Sequence, residues 1–261
     1  MKTLVGINTL TAVEQVAYMS HVHFFYRLGK NHPDWTFAIN TPRRASIDRM
    51  RNMSARIAIE QNFDYLMFID DDVIIPVDAF DRLYETQKDI VAGWTLIRGY
   101  PYENMFFKYD LAKVIAGEEK LTLANFNDVK RGSGVIDVDA VGFSCVLIKV
   151  DLLRKVSSPW FVTGPYNTED IYFCIKAKKE VPACTIAVHT DVETAHILGP
   201  EVIAPWNREQ YMKYYEEVFP ELVHNEESVL DPPQPYIHKK DEKKYERYYE
   251  EILKEEVCDP R

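Results

Sequence analysis

Tyr65-Leu66-Met67-Phe68-Ile69-Asp70-Asp71-Asp72 is the stretch on which the fold turns. Four apolar residues without a polar break read as a strand covered on both faces, the habit of parallel sheets walled by helices. Three carboxylates follow at once. Two carboxylates ~4 Å apart repel by ~1 kcal/mol in water and ~4 kcal/mol near a protein surface, so the triplet asks for a cation or for generous solvation. Alternation along a strand sends Asp70 and Asp72 to one side and Asp71 to the other. Two carboxylates on one side suit a hard divalent ion such as Mg²⁺ or Mn²⁺, which prefers oxygen ligands. The plainer alternative is an acidic turn ahead of a helix near Pro76, where negative charge is welcome.

Working outward, Leu4–Ile7 reads as a first buried strand, followed by a helical pattern through Val13, Val16, Ala17 and His21. Trp35–Ile39 reads as a second strand. Ser46 is placed to cap a helix whose inner face is Ile47, Met50, Ser54, Ile57 and Ala58. Pro76 suits the first turn of a short helix through Val77, Phe80, Leu83 and Tyr84. Ile90–Trp94 is a further strand, and residues 135–150 read as one long strand containing Gly142. Ala183–His189 and Val192–Leu198 add two more. Strands alternating with helices predict an α/β fold, a mostly parallel sheet flanked by helices, over residues 1–204. Ligands bind such sheets beyond the carboxyl ends of the strands. Residues 205–261 turn helical and charged, broken at Asp231-Pro232-Pro233, and predict a C-terminal appendage packed on the core.

The chain has 261 residues, enough for one large domain, with 46% apolar and 28% charged residues. A formal charge of −10 speaks against a basic face that grips duplex nucleic acid. The apolar run at the N-terminus is too short for a signal peptide, and no later run approaches the ~20 residues of a membrane span. Cys145, Cys174, Cys184 and Cys258 lack paired C-x-x-C spacing. Neither a zinc site nor a disulfide framework is indicated, and a reducing, cytoplasmic compartment is expected.

Two downstream stretches supply partners for the acids. Thr168-Glu169-Asp170 opens an apolar-periodic helix; acids there favour the helix dipole, or aim a general base into a cleft. Val192-Glu193-Thr194-Ala195-His196-Ile197 places a histidine late in the core, with His189 as its rival; an imidazole is a common Mn²⁺ ligand.

In order along the chain stand Ile47-Asp48-Arg49-Met50-Arg51-Asn52, Asp70-Asp71-Asp72, Val141-Gly142-Phe143-Ser144, Thr168-Glu169-Asp170 and His196. This set resembles the GT-A superfamily of nucleotide-sugar glycosyltransferases, in particular short bacterial and phage members. The resemblance spans residues 1 to about 200 and rests on the ordered set, since no single motif is specific. It implies a Rossmann-like GT-A fold and a metal site of Asp70, Asp72 and His196 holding Mn²⁺ or Mg²⁺. It implies Asp170 as catalytic base, with Glu169 its rival. Asn8, Thr9, Arg51, Asp70, Asp71 and Gly142 would contact a UDP- or GDP-sugar donor. Ser144 departs from the small residues usual after Gly142-Phe143.

The activity so implied is transfer of a sugar to an acceptor hydroxyl by direct displacement, with inversion. The acceptor is open between a glycan and a hydroxymethylated base in modified DNA. Trp94, Tyr100, Tyr102 and Phe106 either line an acceptor groove or belong to the core. Lys239, Lys240, Lys243, Lys244 and Arg247 are three times better explained as a solvated helix face than as a phosphate-binding one by charge-run priors. Two rival readings are nucleotidyl transfer and a non-catalytic sugar-binding module. The first usually wants a glycine-rich basic loop after strand one, which Gly6-Ile7-Asn8-Thr9-Leu10-Thr11-Ala12 does not supply.

Overall fold

A computed structural model describes residues 1–9, 12–108, 124–126, 129–164, 168–198 and 201–218. Its strands are β1 Lys2–Asn8, β2 Thr36–Asn40, β3 Tyr65–Asp70, β4 Val73–Ile74, β5 Ile90–Trp94, β6 Phe106–Lys108, β7 Ala124–Asn125, β8 Val135–Asp137, β9 Ala140–Val141, β10 Cys145–Lys149, β11 Ile186–Glu193, β12 Ala195–Leu198 and β13 Glu201–Ile203. Its helices are α1 Gln15–Asn31, α2 Ile47–Glu60, α3 Ala79–Glu85, α4 Val150–Lys155, α5 Glu169–Glu180 and α6 Arg208–Val218.

Seven strands form the central sheet in the order β2-β1-β3-β10-β5-β11-β8. β1 pairs in parallel with β2 and β3, and β5 with β11; β10 and β8 run against their neighbours. The sheet is thus mixed and mostly parallel, as the alternating pattern predicts. Strand periodicity sorts the core into two layers. Leu4, Leu66 and Phe68 face a layer with Ala55 and Ala58 of α2 and Phe173 of α5. Val5, Ile7, Met67 and Ile69 face the opposite layer with Phe24 and Leu28 of α1 and Phe80 of α3.

Several details differ from the sequence reading, each for a physical reason. Residues 135–150 are three strands, because the chain leaves the central sheet after β8, pairs β9 with β6, and returns as β10. Gly142 lies between β9 and β10, and the place of its missing Cβ is taken by the Met105 side chain, 2.5 Å away at the nearest. The inner stripe of α1 is Ala17, His21, Phe24 and Leu28, while Val16 is exposed. Pro76 precedes α3 rather than opening it, and Asp78 is the N-cap. Ser46 occupies the N-cap of α2 without a side-chain capping bond. Trp94, Tyr102 and Phe106 are buried core residues.

Two smaller sheets set the site. One is β13-β12-β4, with His196 of β12 opposite Val73 of β4. The other is β7-β6-β9. Tyr211 and Met212 of α6 pack against the main core; residues 219–261, with the lysine cluster and Cys258, lie outside the described residues. Cys145, Cys174 and Cys184 are free thiols. Among the described residues no helix is long and apolar enough to cross a membrane.

Candidate active site

The site lies beyond the carboxyl end of β3. The strand ends at Asp70, and Asp71 and Asp72 form the turn into β4. Asp70 and Asp72 therefore meet through a turn, where strand alternation no longer applies. Antiparallel pairing of β4 with β12 brings His196 over this turn, and the backbone N–H of Ile197 donates to the Asp72 carbonyl at 3.0 Å. Ligand atoms of Asp70, Asp72 and His196 all lie within 4.8 Å of one another, the one such group among the described residues. His189 is not part of it. The Asp71 backbone carbonyl accepts from the Glu14 N–H ahead of α1 at 3.1 Å.

His196 is 5% exposed, and its Nδ1 sits 2.7 Å from the Leu96 carbonyl oxygen. A carbonyl only accepts, so Nδ1 carries the proton and Nε2 presents a lone pair. A backbone carbonyl that fixes the ring in this way is the usual partner of a metal-bound histidine. Burial also pulls the imidazole below its ordinary pKa of 6.5, against the Leu96 hydrogen bond and the attraction of Asp72 and Asp70. A neutral ring is the form that ligates. Burial pushes the Asp70 carboxyl up, against the pull of Arg51, and Asp72 adds to the rise. A cation at this point would relieve that strain of charge, so the donor set fits a hard or borderline divalent ion.

Arg51 joins this group to the second pair of acids. It projects from the inner face of α2 at 3% exposure. Its Nη2 is 3.3 Å from Asp70 Oδ1, its Nε 3.0 Å from Glu169 Oε1, and its Nη1 donates to the Phe143 carbonyl at 3.4 Å. The guanidinium carbon lies 5.1 and 5.2 Å from the ring centres of Phe68 and Phe143. One buried cation thus bolts β3, α2, α5 and the β9–β10 connection together. Two acids and a backbone carbonyl already surround the guanidinium, which makes the role of Arg51 one of fixing the acids.

Glu169 and Asp170 open α5, both buried. Asp170 Oδ2 accepts from the Phe143 N–H at 3.3 Å; Oδ1 accepts from the Ile171 N–H at 2.8 Å and from the Thr168 hydroxyl. Thr168 holds the N-cap position, but its hydroxyl orients Asp170 instead of capping the helix. Burial pushes the Glu169 carboxyl up to about 7, against the pull of Arg51 and reinforced by Asp170.

Asn8 ends β1 in register with Asp70. Both polar atoms of its side chain and the Thr9 hydroxyl are buried without a hydrogen-bond partner. Buried polar atoms left unpaired cost roughly 1–3 kcal/mol each, and such a cluster at a strand end asks for a polar ligand. Sequence reasoning missed one residue at the rim. Arg98, four positions beyond β5, donates to Asp72 Oδ2 at 2.5 Å. The strand-end rule pointed to that loop, but no pattern singled out the arginine.

The sequence matches no protein-family model and no curated protein. Among solved structures, A197 from STIV is similar over 78% of this chain and 91% of its own, at 18% identity and a TM-score of 0.53. UDP-glucose pyrophosphorylase complexed with UDP-glucose aligns over 83% of this chain and all of its own, at 8% identity and a TM-score of 0.46. A glycosyltransferase involved in the glycosylation of the major capsid of PBCV-1 aligns over 81% and 98%, at 10% identity and a TM-score of 0.36. The last two are too distant to carry an argument. The likeness to A197 shows the fold: the chain has a mixed α/β, Rossmann-like architecture.

Proposed function

We propose that this chain is a GT-A-type glycosyltransferase, which moves a sugar from a UDP- or GDP-sugar to an acceptor hydroxyl with inversion. The observation that carries the reading is the convergence of Asp70, Asp72 and His196 at one strand end, tied through Arg51 to the buried acids Glu169 and Asp170. Asp70, Asp72 and His196 would hold Mn²⁺ or Mg²⁺. Bound there, such an ion supplies positive charge against the negative charge that grows on a departing diphosphate.

The chain's own residues do the rest. Asn8 and Thr9 offer their orphaned donors and acceptors to the nucleoside. Asp170, held by the Phe143 and Ile171 amides and the Thr168 hydroxyl, takes the proton of the acceptor hydroxyl. A bond forms from that oxygen to the anomeric carbon as the bond from that carbon to the diphosphate breaks. Arg51 keeps the two acid groups at a fixed separation through the turnover.

The test is a product assay with Mn²⁺ and a panel of UDP- and GDP-sugars, following free nucleoside diphosphate. Asp72→Ala and Asp170→Asn should each lose about 100-fold or more in turnover, in line with loss of a charge-stabilising or proton-accepting group. Undiminished turnover of Asp72→Ala in excess chelator would refute the reading. Release of pyrophosphate from a nucleoside triphosphate and a sugar phosphate would put nucleotidyl transfer in its place.

A further inference from the structure

Arg98 is tied to the acid–imidazole group without belonging to it. Its Nη1 reaches Asp72 Oδ2 at 2.5 Å, with 57% of the arginine side chain exposed and 21% of the aspartate. The loop that bears it is fixed at its base. Leu96 bridges to Asn104, the Ile97 N–H donates to the Glu103 carbonyl at 2.8 Å, and the Met105 N–H donates to the Thr95 carbonyl at 3.0 Å. Arg208 of α6 donates from Nε to the Tyr102 carbonyl at 2.8 Å and from Nη2 to the Pro101 carbonyl at 3.2 Å. The same loop presents the Leu96 carbonyl to His196. One hairpin thus sets the tautomer of the imidazole and delivers a guanidinium to the neighbouring carboxylate.

A divalent cation and that guanidinium make opposing claims on Asp72, since two positive charges against one carboxylate repel each other. The base of the hairpin is pinned, but the arginine side chain is long and more than half exposed. A guanidinium fork fits phosphate oxygens as well as it fits a carboxylate. We propose that Arg98 is a charge-exchange residue: it neutralises Asp72 until a divalent cation binds, then passes its guanidinium to a diphosphate at the same rim. Cation and diphosphate consequently bind with positive coupling, each favouring the other. This rests on the reading that Asp70, Asp72 and His196 take a divalent cation.

The experiment is calorimetry on the full chain and on Arg98→Gln, first with Mn²⁺ alone and then with inorganic pyrophosphate at saturating Mn²⁺. Removing a partly exposed ion pair should tighten Mn²⁺ binding by up to roughly fivefold. Losing a charged fork should weaken pyrophosphate binding by about tenfold or more. Mn²⁺ affinity that is unchanged or weaker in Arg98→Gln overturns the proposal, and so does pyrophosphate affinity that is unchanged or tighter. If neither protein takes up Mn²⁺, the cation site itself falls, and the exchange with it. Mn²⁺ uptake by both with no difference between them removes the exchange alone and leaves the site standing.

Discussion

At the scale of the residue, the surroundings of the Glu169 carboxyl keep it protonated well above its ordinary range. Burial raises it from 4.5 to about 7, even with Arg51 beside it. In the window between those two values the folded chain keeps a proton that the unfolded chain has released. Stability supplied by this group is therefore full below pH 4.5 and declines as pH rises through about 7. Glu169→Gln cannot lose that proton. The difference in thermal midpoint, variant minus wild type, should accordingly grow more positive from pH 4.5 to about pH 7 and level off above it. A difference that stays flat across the window would show that Glu169 does not hold its proton in the native state. Differencing against the wild type removes the contribution of titrating groups remote from Glu169.

At the scale of the element, the central strands were readable because their apolar runs are long and unbroken. Tyr65–Ile69 and Ile90–Trp94 fall within or upon β3 and β5. Pairings between remote segments were not readable, since nothing local announces them. His196 reaches Asp72 only because the two-residue β4 adds to β12, and a two-residue strand leaves no pattern. The same blindness merged β8, β9 and β10 into one. Arg51 was legible as a candidate, but its part as a buried bolt depended on where α5 lands. Glycines show a related divide. A Cβ on Gly93 would meet the Val192 carbonyl oxygen at 2.8 Å, where β11 shifts register between His189 and Glu193. A Cβ on Gly142 would meet the terminal methyl of Met105 at 2.5 Å. Backbone in a bulge yields poorly, whereas a methionine end re-aims with little loss. Gly93→Ala should cost ~1–3 kcal/mol in urea unfolding, and Gly142→Ala distinctly less. The reverse order would mean that Met105 is locked in place and that the bulge gives.

At the scale of the whole molecule, the candidate ligands come from two distant stretches of chain. Asp70 and Asp72 belong to the end of β3 and the turn after it, and His196 to the small sheet beyond β11. An ion bound to all three is bound only by the folded chain, because the unfolded chain does not hold these stretches together. Binding confined to the native state stabilises it by ~2.7 kcal/mol at a hundred times the dissociation constant. For a chain of this size ~1 kcal/mol moves the thermal midpoint by about 2–4 °C. Saturating Mn²⁺ should therefore raise the midpoint by about 5–10 °C, and chelator should return it. The net charge of −10 attracts any cation weakly, so the deciding comparison is with variants that keep the fold and lose one ligand. Asp72→Ala and His196→Ala should each abolish the rise although one lies in the turn after β3 and the other in β12, in different thirds of the sequence. A rise that persists in either variant would mean the ion is held by general surface charge, and the strand-end group would then have no claim to it.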